Sequence, residues 1–305
     1  MIKALLRWFL QVPLRIILPL LPSGFIYALG KAGGHVHYRI ARDFAEKVAA
    51  GFRNLAGEEE AYDFRRVALR CCQNHVMSEL EVLLYGRMNS GNIERYVSLE
   101  GRSILDGALA AGRGVILLHA HFGNEHLLMP ALGHRGYTVN QVGLHPDDAV
   151  NHLQDVMLRQ PDDLTRSWFK LKEECEKKLP VTFIYLGKSL RPAVECLKRN
   201  EILAISLDGV DGNMITVPFL RKKAQFLPGP IRLAMATGAM IVPAFTVRKR
   251  NGTPRLVIED PIEGTSSIEE AVMRFKSLLE EYMKRYPCHY AKLLAFDAPP
   301  FGSLQ

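Results

Sequence analysis

Residues 112–124 read Gly-Arg-Gly-Val-Ile-Leu-Leu-His-Ala-His-Phe-Gly-Asn, and their pattern gives the clearest indication of the fold class. Its centre, 115–118, is a short apolar run, which is typical of a strand buried on both faces. Histidines and a glycine follow directly where the run stops. Because binding sites in α/β folds lie at the carboxyl ends of parallel strands, we expect the functional site to begin after Leu118.

Outward from this stretch, short apolar runs alternate with amphipathic helices. After a helical layer over 43–88, strands are predicted at 115–118, 181–185, 202–205, 240–242 and 255–258, and helices at 103–111, 124–133, 189–199, 230–237 and 267–285. This alternation predicts an α/β fold with a mainly parallel sheet flanked by helices. The strand-end rule then points to the residues after Leu118, Leu207 and Val242.

The N-terminal residues 1–42 are predicted to form a helical, membrane-associating segment, and residues 43–305 the main domain. Six of the 39 Lys and Arg residues precede Asp43, whereas no Asp or Glu does. A basic, apolar start of this kind suits an anionic bilayer surface, and nucleic-acid binding is not expected. The charge-free run 16–30 is shorter than the roughly 20 residues of a spanning helix. We expect an in-plane or partly inserted anchor; a helix pair packed on the core and a true span are alternatives.

Several chemistries lack their usual sequence signals. Five cysteines without CxxC spacing indicate neither a disulfide framework nor a zinc site, and reduced thiols suit the cytoplasmic side of a membrane. A G-x-S-x-G elbow, a Walker motif and a dinucleotide fingerprint are also missing from the sequence. Serine hydrolysis, nucleotide hydrolysis and hydride transfer are therefore not favoured, and no metal or cofactor is predicted.

The run of residues 119–126, His-Ala-His-Phe-Gly-Asn-Glu-His, carries the candidate chemistry. An imidazole at the end of a buried strand is well placed to take a proton, so we predict His121 as a general base. Such a base needs a carboxylate that fixes its tautomer, and Glu125 is the nearest one. Three histidines and a glutamate within eight residues also leave a metal-dependent hydrolase open.

Seven segments of the chain together resemble the bacterial lysophospholipid acyltransferase superfamily, in particular its lipid A lauroyl/myristoyl acyltransferase branch. The resemblance spans residues 5–287 and lies in 99–101, 112–124, 207–208, 217–219, 228–234, 237–239 and 241–245. It implies a glycerol-phosphate acyltransferase-like fold. It also implies transfer of a fatty acyl group from acyl-ACP or acyl-CoA to a hydroxyl of a lipid or glycolipid. A monomer without cofactor, at the cytoplasmic face of the bacterial inner membrane, is the corresponding expectation.

The sequence departs from that family at one functional position. The family motif is a histidine, four residues and then Asp or Glu, usually His-Phe-Gly-Asn-Trp-Glu. Here His126 stands where the acid is expected, and Glu125 comes one residue early. We prefer Glu125 as the partner of His121, with Asp208, at the end of the strand that begins at Ile202, as the alternative acid.

Four further residues are predicted to bind the substrates. Asn124 and the backbone around Gly123 are candidates for stabilising the oxyanion. Arg232 suits a phosphate of the acyl carrier's pantetheine or of the acceptor, and Phe219 suits an acyl channel. A surface cation and plain core packing are the respective alternatives. At the level of function, the alternatives are a thioesterase-like or metal-assisted hydrolase and a non-catalytic membrane lipid-binding protein.

Overall fold

The computed structural model describes residues 17–57, 62–145, 148, 163–187, 189–209, 213–264 and 267–290. The first 16 residues of the predicted membrane-associating segment and the Pro-rich tail after Tyr290 lie outside the described residues. The described part contains a seven-stranded sheet, a separate two-stranded hairpin and helices on both faces of the larger sheet.

The seven-stranded sheet has the order β1-β9-β8-β2-β5-β3-β4. Its five strands from β8 to β4 run parallel to one another, whereas β9 is antiparallel to β8 and β1 runs parallel to β9. The mainly parallel α/β sheet predicted from the sequence is therefore confirmed. The strands are β1 Ser98–Glu100, β2 Val115–His119, β3 Val139–Gly143, β4 Thr182–Tyr185, β5 Ile202–Ser206, β6 Ile215–Phe219, β7 Lys222–Phe226, β8 Met240–Arg248 and β9 Pro254–Ile258.

The helices cover the sheet because its strands alternate apolar side chains between two faces. In β2, Ile116 and Leu118 belong to one hydrophobic core and Val115 and Leu117 to the other, and all four are fully buried. The described α-helices of four or more residues are α1 Ser23–Ile40, α2 Arg42–Ala56, α3 Phe64–Val82, α4 Ile93–Tyr96, α5 Arg102–Ala110, α6 Leu128–Gly133, α7 Asp163–Glu176, α8 Arg191–Lys198, α9 Gly229–Thr237 and α10 Ile268–Arg285.

Helix α1 packs closely along α3. Gly30 and Gly34 face this contact, and a Cβ atom built on them would lie 2.4 Å from Met77 Cγ and 2.3 Å from Gln73 Cα. The two backbones can approach this closely because neither glycine carries a side chain. Residues 23–40 of the N-terminal segment are thus packed on the helical layer. Within the described residues, no helix combines the length and the apolar character needed to cross a membrane.

The described elements that were not predicted from the sequence are α4, α7, β1, β3 and the hairpin of β6 and β7. Strand β3 reads Val-Asn-Gln-Val-Gly, so polar residues interrupt its apolar pattern, and β1 is only three residues long. The hairpin formed by β6 and β7 contains Pro218 and lies outside the large sheet. The predicted strands and helices are found within a few residues of their expected limits, except that β8, predicted over 240–242, continues to Arg248. Gly238 ends α9 with a positive φ of 74°, as expected for a helix C-cap.

Candidate active site

The register of two neighbouring strands brings His121 and Asp208 together. Strands β2 and β5 are parallel and adjacent, and His119 is paired with Ser206 at their carboxyl ends. The backbone ladder continues one step further, since the Leu207 N–H donates to the His119 carbonyl over 2.9 Å. His121 and Asp208 each lie two residues beyond the paired positions. They therefore meet at the carboxyl ends of β2 and β5, although 87 positions separate them in sequence.

Asp208 receives hydrogen bonds from both the side chain and the backbone of His121. The distance from His121 Nδ1 to Asp208 Oδ1 is 2.8 Å. The backbone N–H of His121 lies 3.1 Å from Oδ1 and 2.9 Å from Oδ2. The Asp208 side chain is fully buried, whereas the His121 side chain is 38% exposed. The carboxylate thus holds the imidazole from the interior and leaves part of the ring accessible.

The charge state of Asp208 determines which nitrogen of the His121 imidazole carries the proton. Burial alone raises the pKa of the Asp208 carboxyl, but the charge of His121 and the hydrogen bonds from His121 and Tyr290 lower it, and the net pKa lies below its ordinary value. Asp208 is therefore a carboxylate near neutral pH. A carboxylate only accepts hydrogen bonds, so Nδ1 of His121 carries the proton and Nε2 is the unprotonated nitrogen of the ring.

Glu125, the preferred acid of the sequence analysis, lies in a second charged group. Its Oε1 is 3.5 Å from Nε2 of His126, and Lys172 Nζ lies 2.8 Å from the same nitrogen. The Nδ1 atom of His126 is 3.7 Å from Glu176 Oε1 on α7. The side chain at the family's acid position is therefore held among Glu125, Lys172 and Glu176. Asp208, the alternative acid, is the carboxylate hydrogen-bonded to Nδ1 of His121.

Asn124 is bound into a buried ion pair. Its side chain is 2% exposed, and its Nδ2 donates to Glu81 Oε2 over 2.7 Å. Glu81, on α3, makes a two-point contact with Arg248 at the end of β8, with distances of 2.6 and 2.8 Å. Arg248 also donates to Ser78 Oγ over 2.9 Å. This group, Asn124, Glu81 and Arg248, ties the predicted catalytic loop to the helical layer.

Gly123 allows the loop to pass very close to strand β8. Its φ is +70°, and a Cβ atom built there would lie 1.9 Å from the Thr246 carbonyl oxygen. Its N–H donates to the His289 carbonyl over 2.7 Å. The N–H of Gly123 and one amide hydrogen of Asn124 thus go to acceptors within the protein. These contacts fix the position of the loop, and stabilisation of an oxyanion by either residue stays a prediction.

The two remaining predicted substrate residues, Phe219 and Arg232, differ in exposure. Phe219 is fully buried in the core, with its ring centroid 6.0 Å from that of Phe226. Arg232 is exposed on the first turn of α9.

His119 is 5% exposed, and burial first, then the charge of His121, lowers its pKa. Among the residues with described positions, no group of three or more His, Cys, Asp or Glu side chains is arranged to hold a metal ion.

Sequence reasoning missed four residues around the loop: Glu81, Arg248, His289 and Tyr290. Tyr290 donates its hydroxyl to Asp208 Oδ2 over 2.8 Å, and its side chain is fully buried. The ring of His289 stacks on Phe122, with centroids 5.5 Å apart and an interplanar angle of 18°. Each of the four comes from a distant part of the chain and lies outside a recognisable motif. The opposite charges of Glu81 and Arg248 are the one feature that could have indicated a contact between two of them, but no sequence spacing connects these residues.

Comparison with known proteins identifies the family. The family model of the bacterial lipid A biosynthesis acyltransferases matches residues 1–295. Among solved structures, the 1-acyl-sn-glycerophosphate (LPA) acyltransferase PlsC from Thermotoga maritima is similar over 85% of this chain and 95% of that chain, at 15% sequence identity and a TM-score of 0.36. A search of curated proteins found no match. The family and the enzyme class predicted from the sequence are confirmed by the family model: the chain belongs to the bacterial lipid A biosynthesis acyltransferases, and it transfers an acyl group to a lipid acceptor.

Proposed function

We propose that His121 is the general base of this acyl transfer and that Asp208 orients it. The observation that supports this proposal is the 2.8 Å contact between His121 Nδ1 and Asp208 Oδ1, with the carboxylate buried and the imidazole 38% exposed. A protonated Nδ1 leaves Nε2 as the basic nitrogen of the ring. The preferred Glu125 is thus replaced by Asp208 as the acid of the dyad.

The proposed reaction needs only proton transfers and one acyl exchange. Nε2 of His121 takes the proton from a hydroxyl of the lipid acceptor as the oxygen attacks the thioester carbonyl of the donor. A carbon–oxygen bond forms and gives a tetrahedral oxyanion. When this intermediate collapses, the carbon–sulfur bond breaks and the imidazolium returns the proton to the departing thiolate. The products are the acylated lipid and the free thiol of the carrier.

Acyl-ACP or acyl-CoA is the proposed donor, because a hydroxyl acceptor requires an activated acyl group. Both carriers present a phosphate next to their pantetheine, and an exposed guanidinium such as that of Arg232 can bind a phosphate through paired hydrogen bonds. Lipid A precursors and other membrane glycolipids are candidate acceptors. The chain acts as a monomer in this proposal.

Helix α1 provides a surface for binding at the membrane. Its outward face carries large apolar side chains with high exposure, namely Phe25 at 56%, Val36 at 43% and Ile40 at 42%, and Leu20 just before the helix is 79% exposed. Their spacing of three to four residues or multiples of it places them along one side of the helix. With the basic residues of 1–42, this stripe suits the anionic cytoplasmic face of the bacterial inner membrane.

The catalytic proposal is tested by the lipids of a strain that lacks the gene. Mass spectrometry of the deletion strain should show a membrane lipid that lacks one acyl chain. Wild-type protein should restore the chain, and the His121→Ala variant should not, because a missing general base slows transfer by about 10²–10⁴-fold. The His134→Ala variant, which changes a half-buried histidine directly after α6, is the matched control and should restore it.

Two results would overturn the catalytic proposal. One is full restoration by His121→Ala at a protein level equal to wild type. The other is release of free fatty acid without any acylated lipid, which would favour the thioesterase-like alternative, and loss of that release with a chelator would favour a metal-assisted hydrolase.

Membrane binding is tested separately by flotation with vesicles that contain phosphatidylglycerol. Replacing Phe25, Val36 and Ile40 with Ser should release the protein from the vesicles. Replacing Met235 and Met273 with Ser, which are 48% and 38% exposed elsewhere on the surface, should leave binding unchanged. Equal flotation of both variants would contradict a membrane role for α1.

A further inference from the structure

A short C-terminal segment, Pro287–Tyr290, lies against the catalytic loop, and we name it the C-terminal clasp. The His289 carbonyl accepts the N–H of Gly123 over 2.7 Å, and the His289 ring stacks on Phe122. On its other side, Asn74 Nδ2 of α3 donates to the Cys288 carbonyl over 2.9 Å. The clasp is thus fixed to the helical layer and touches two successive residues of the loop that carries His121.

The last described residue of the clasp reaches the acid of the proposed dyad. The Tyr290 hydroxyl donates to Asp208 Oδ2 over 2.8 Å, and neither side chain is open to solvent. Burial, and then the charge of Asp208, raises the pKa of Tyr290 well above its ordinary value. The hydroxyl therefore keeps its proton and can only act as a donor toward the carboxylate.

The two carboxylate oxygens have different side-chain partners. Oδ1 accepts from the imidazole Nδ1 of His121 and Oδ2 accepts from the Tyr290 hydroxyl, while the backbone N–H of His121 lies near both oxygens, at 3.1 and 2.9 Å. A carboxylate is free to rotate about its own axis unless both oxygens are held. The hydroxyl of Tyr290 supplies the side-chain contact that holds Oδ2.

We propose that Tyr290 is a positioning residue of the acyl transfer, which keeps Asp208 aimed at Nδ1 of His121. The inference rests on the proposed function, because it concerns the acid of the proposed dyad. Tyr290 acts through Asp208 and needs no contact with either substrate. Removing its hydroxyl should therefore slow the chemical step and leave substrate binding intact.

The test compares Tyr290→Phe with Tyr282→Phe as a matched control. Tyr282 also donates its hydroxyl to a carboxylate, that of Glu259, and its ring packs near Phe122. Rates are measured with dodecanoyl-ACP or dodecanoyl-CoA, whichever the wild type uses, and total membrane lipid of the deletion strain. In Tyr290→Phe we expect kcat to fall roughly tenfold, with KM within about twofold for both substrates, since a hydrogen bond to a charged group is lost. Tyr282→Phe should keep the wild-type kcat.

A double-mutant cycle separates positioning from a general structural role. In the Asp208→Asn background, Tyr290→Phe should lower kcat by less than about twofold, because the group that it positions is already changed. Thermal unfolding of each variant corrects the rates for any unfolded protein. A wild-type kcat in Tyr290→Phe, or the same tenfold loss in the Asp208→Asn background, would overturn the inference alone. Full activity of Asp208→Asn would overturn the proposed dyad itself, and the inference with it.

Discussion

The two ends of the segment His121–Asn124 differ in their surroundings. The side chain of His121 is 38% exposed and is held by Asp208 from one side. Three residues later, Asn124 is 2% exposed and is hydrogen-bonded to the buried carboxylate of Glu81, which is paired with Arg248. One end of the segment is therefore partly exposed to solvent, and the other is part of the protein interior.

A short motif can thus place one residue near the surface and, three positions later, a buried residue that holds the loop in place. The Glu81–Arg248 pair joins helix α3 to the end of strand β8, and Asn124 attaches the loop to that pair. A general base works only when its position is fixed to within a fraction of an ångström. The interior end of the segment supplies this rigidity, and the predictions below test the contacts that hold the segment in place.

The largest expected effect on stability comes from breaking the interior end. In Glu81→Gln, Arg248 keeps its charge in a site where its side chain is only 5% exposed. Removing one partner of a buried ion pair destabilises proteins by about 3–5 kcal/mol. We expect a free energy of unfolding lower by that amount, measured by urea denaturation.

The control for this variant is an exposed ion pair. Glu195, with its side chain 45% exposed, pairs with Arg191 on α8, and Glu195→Gln should change the free energy of unfolding by less than about 1 kcal/mol. Similar losses in Glu81→Gln and Glu195→Gln would show that the interior end of the segment is not stabilised by its buried pair.

A smaller effect is expected at Gly123, the residue that joins the two ends. Gly123→Ala would place a Cβ atom 1.9 Å from the Thr246 carbonyl oxygen at a φ of +70°. The left-handed conformation costs about 1–2 kcal/mol for an L-residue, and relief of the overlap adds about 1–3 kcal/mol. Urea denaturation should show the sum of both effects.

Gly136 separates these two contributions. Its φ is +89°, and a Cβ atom built there meets nothing within 4 Å. Gly136→Ala should therefore cost only the conformational part, about 1–2 kcal/mol. If Gly123→Ala costs no more than Gly136→Ala, the close approach of the loop to β8 does not constrain it.

The third prediction concerns the pH dependence of the C-terminal clasp. Burial, and then the charge of Arg248, lowers the pKa of His289 to about 3, and the neutral ring accepts the Arg248 backbone N–H over 2.9 Å. The unfolded chain binds a proton at this histidine near pH 6.5, whereas the folded protein does not. The stability that a neutral His289 contributes is thus complete above pH 6.5 and declines as the pH falls toward 3. Between pH 7 and pH 5 the loss should be about 2 kcal/mol.

The matching variant is His289→Phe, which keeps a ring against Phe122 and cannot titrate. Its free energy of unfolding should change less between pH 7 and pH 5 than that of the wild type, by about 2 kcal/mol. Asp208 adds little to the pH dependence of stability between pH 7 and pH 5, because its pKa is lowered from an ordinary value that already lies below pH 5. Identical pH dependence of the two proteins would show that His289 is not held neutral.

Most of the large sheet could be predicted because its buried strands are continuous apolar runs. Strand β3 escaped prediction because Asn140 and Gln141 interrupt the pattern, although the Asn140 amide has partners in Glu201 and in the Ile202 carbonyl. A polar residue in a buried strand is acceptable when its hydrogen bonds are made, and one sequence does not reveal those partners.

The site was predictable at His121 and less so at its acid. Proximity in sequence favoured Glu125, but the pairing of β2 with β5 brings Asp208 from 87 positions away. Strand order is not contained in local patterns, so the strand-end rule named the residues after Leu118 and Leu207 without saying that they meet. Tyr290 depends on how the end of the chain folds back, for which no local signal exists.

Comparing kcat of Asp208→Asn with kcat of Glu125→Gln, using the substrates that the wild type accepts, tests which carboxylate orients His121. If Asp208 orients His121, Asp208→Asn should lose about 10²–10⁴-fold in kcat, because an amide cannot hold the imidazole in the same way. Glu125→Gln should stay within about fivefold of the wild type. A large loss of kcat in Glu125→Gln together with near wild-type kcat in Asp208→Asn would contradict the role of Asp208 and show that Glu125 orients His121.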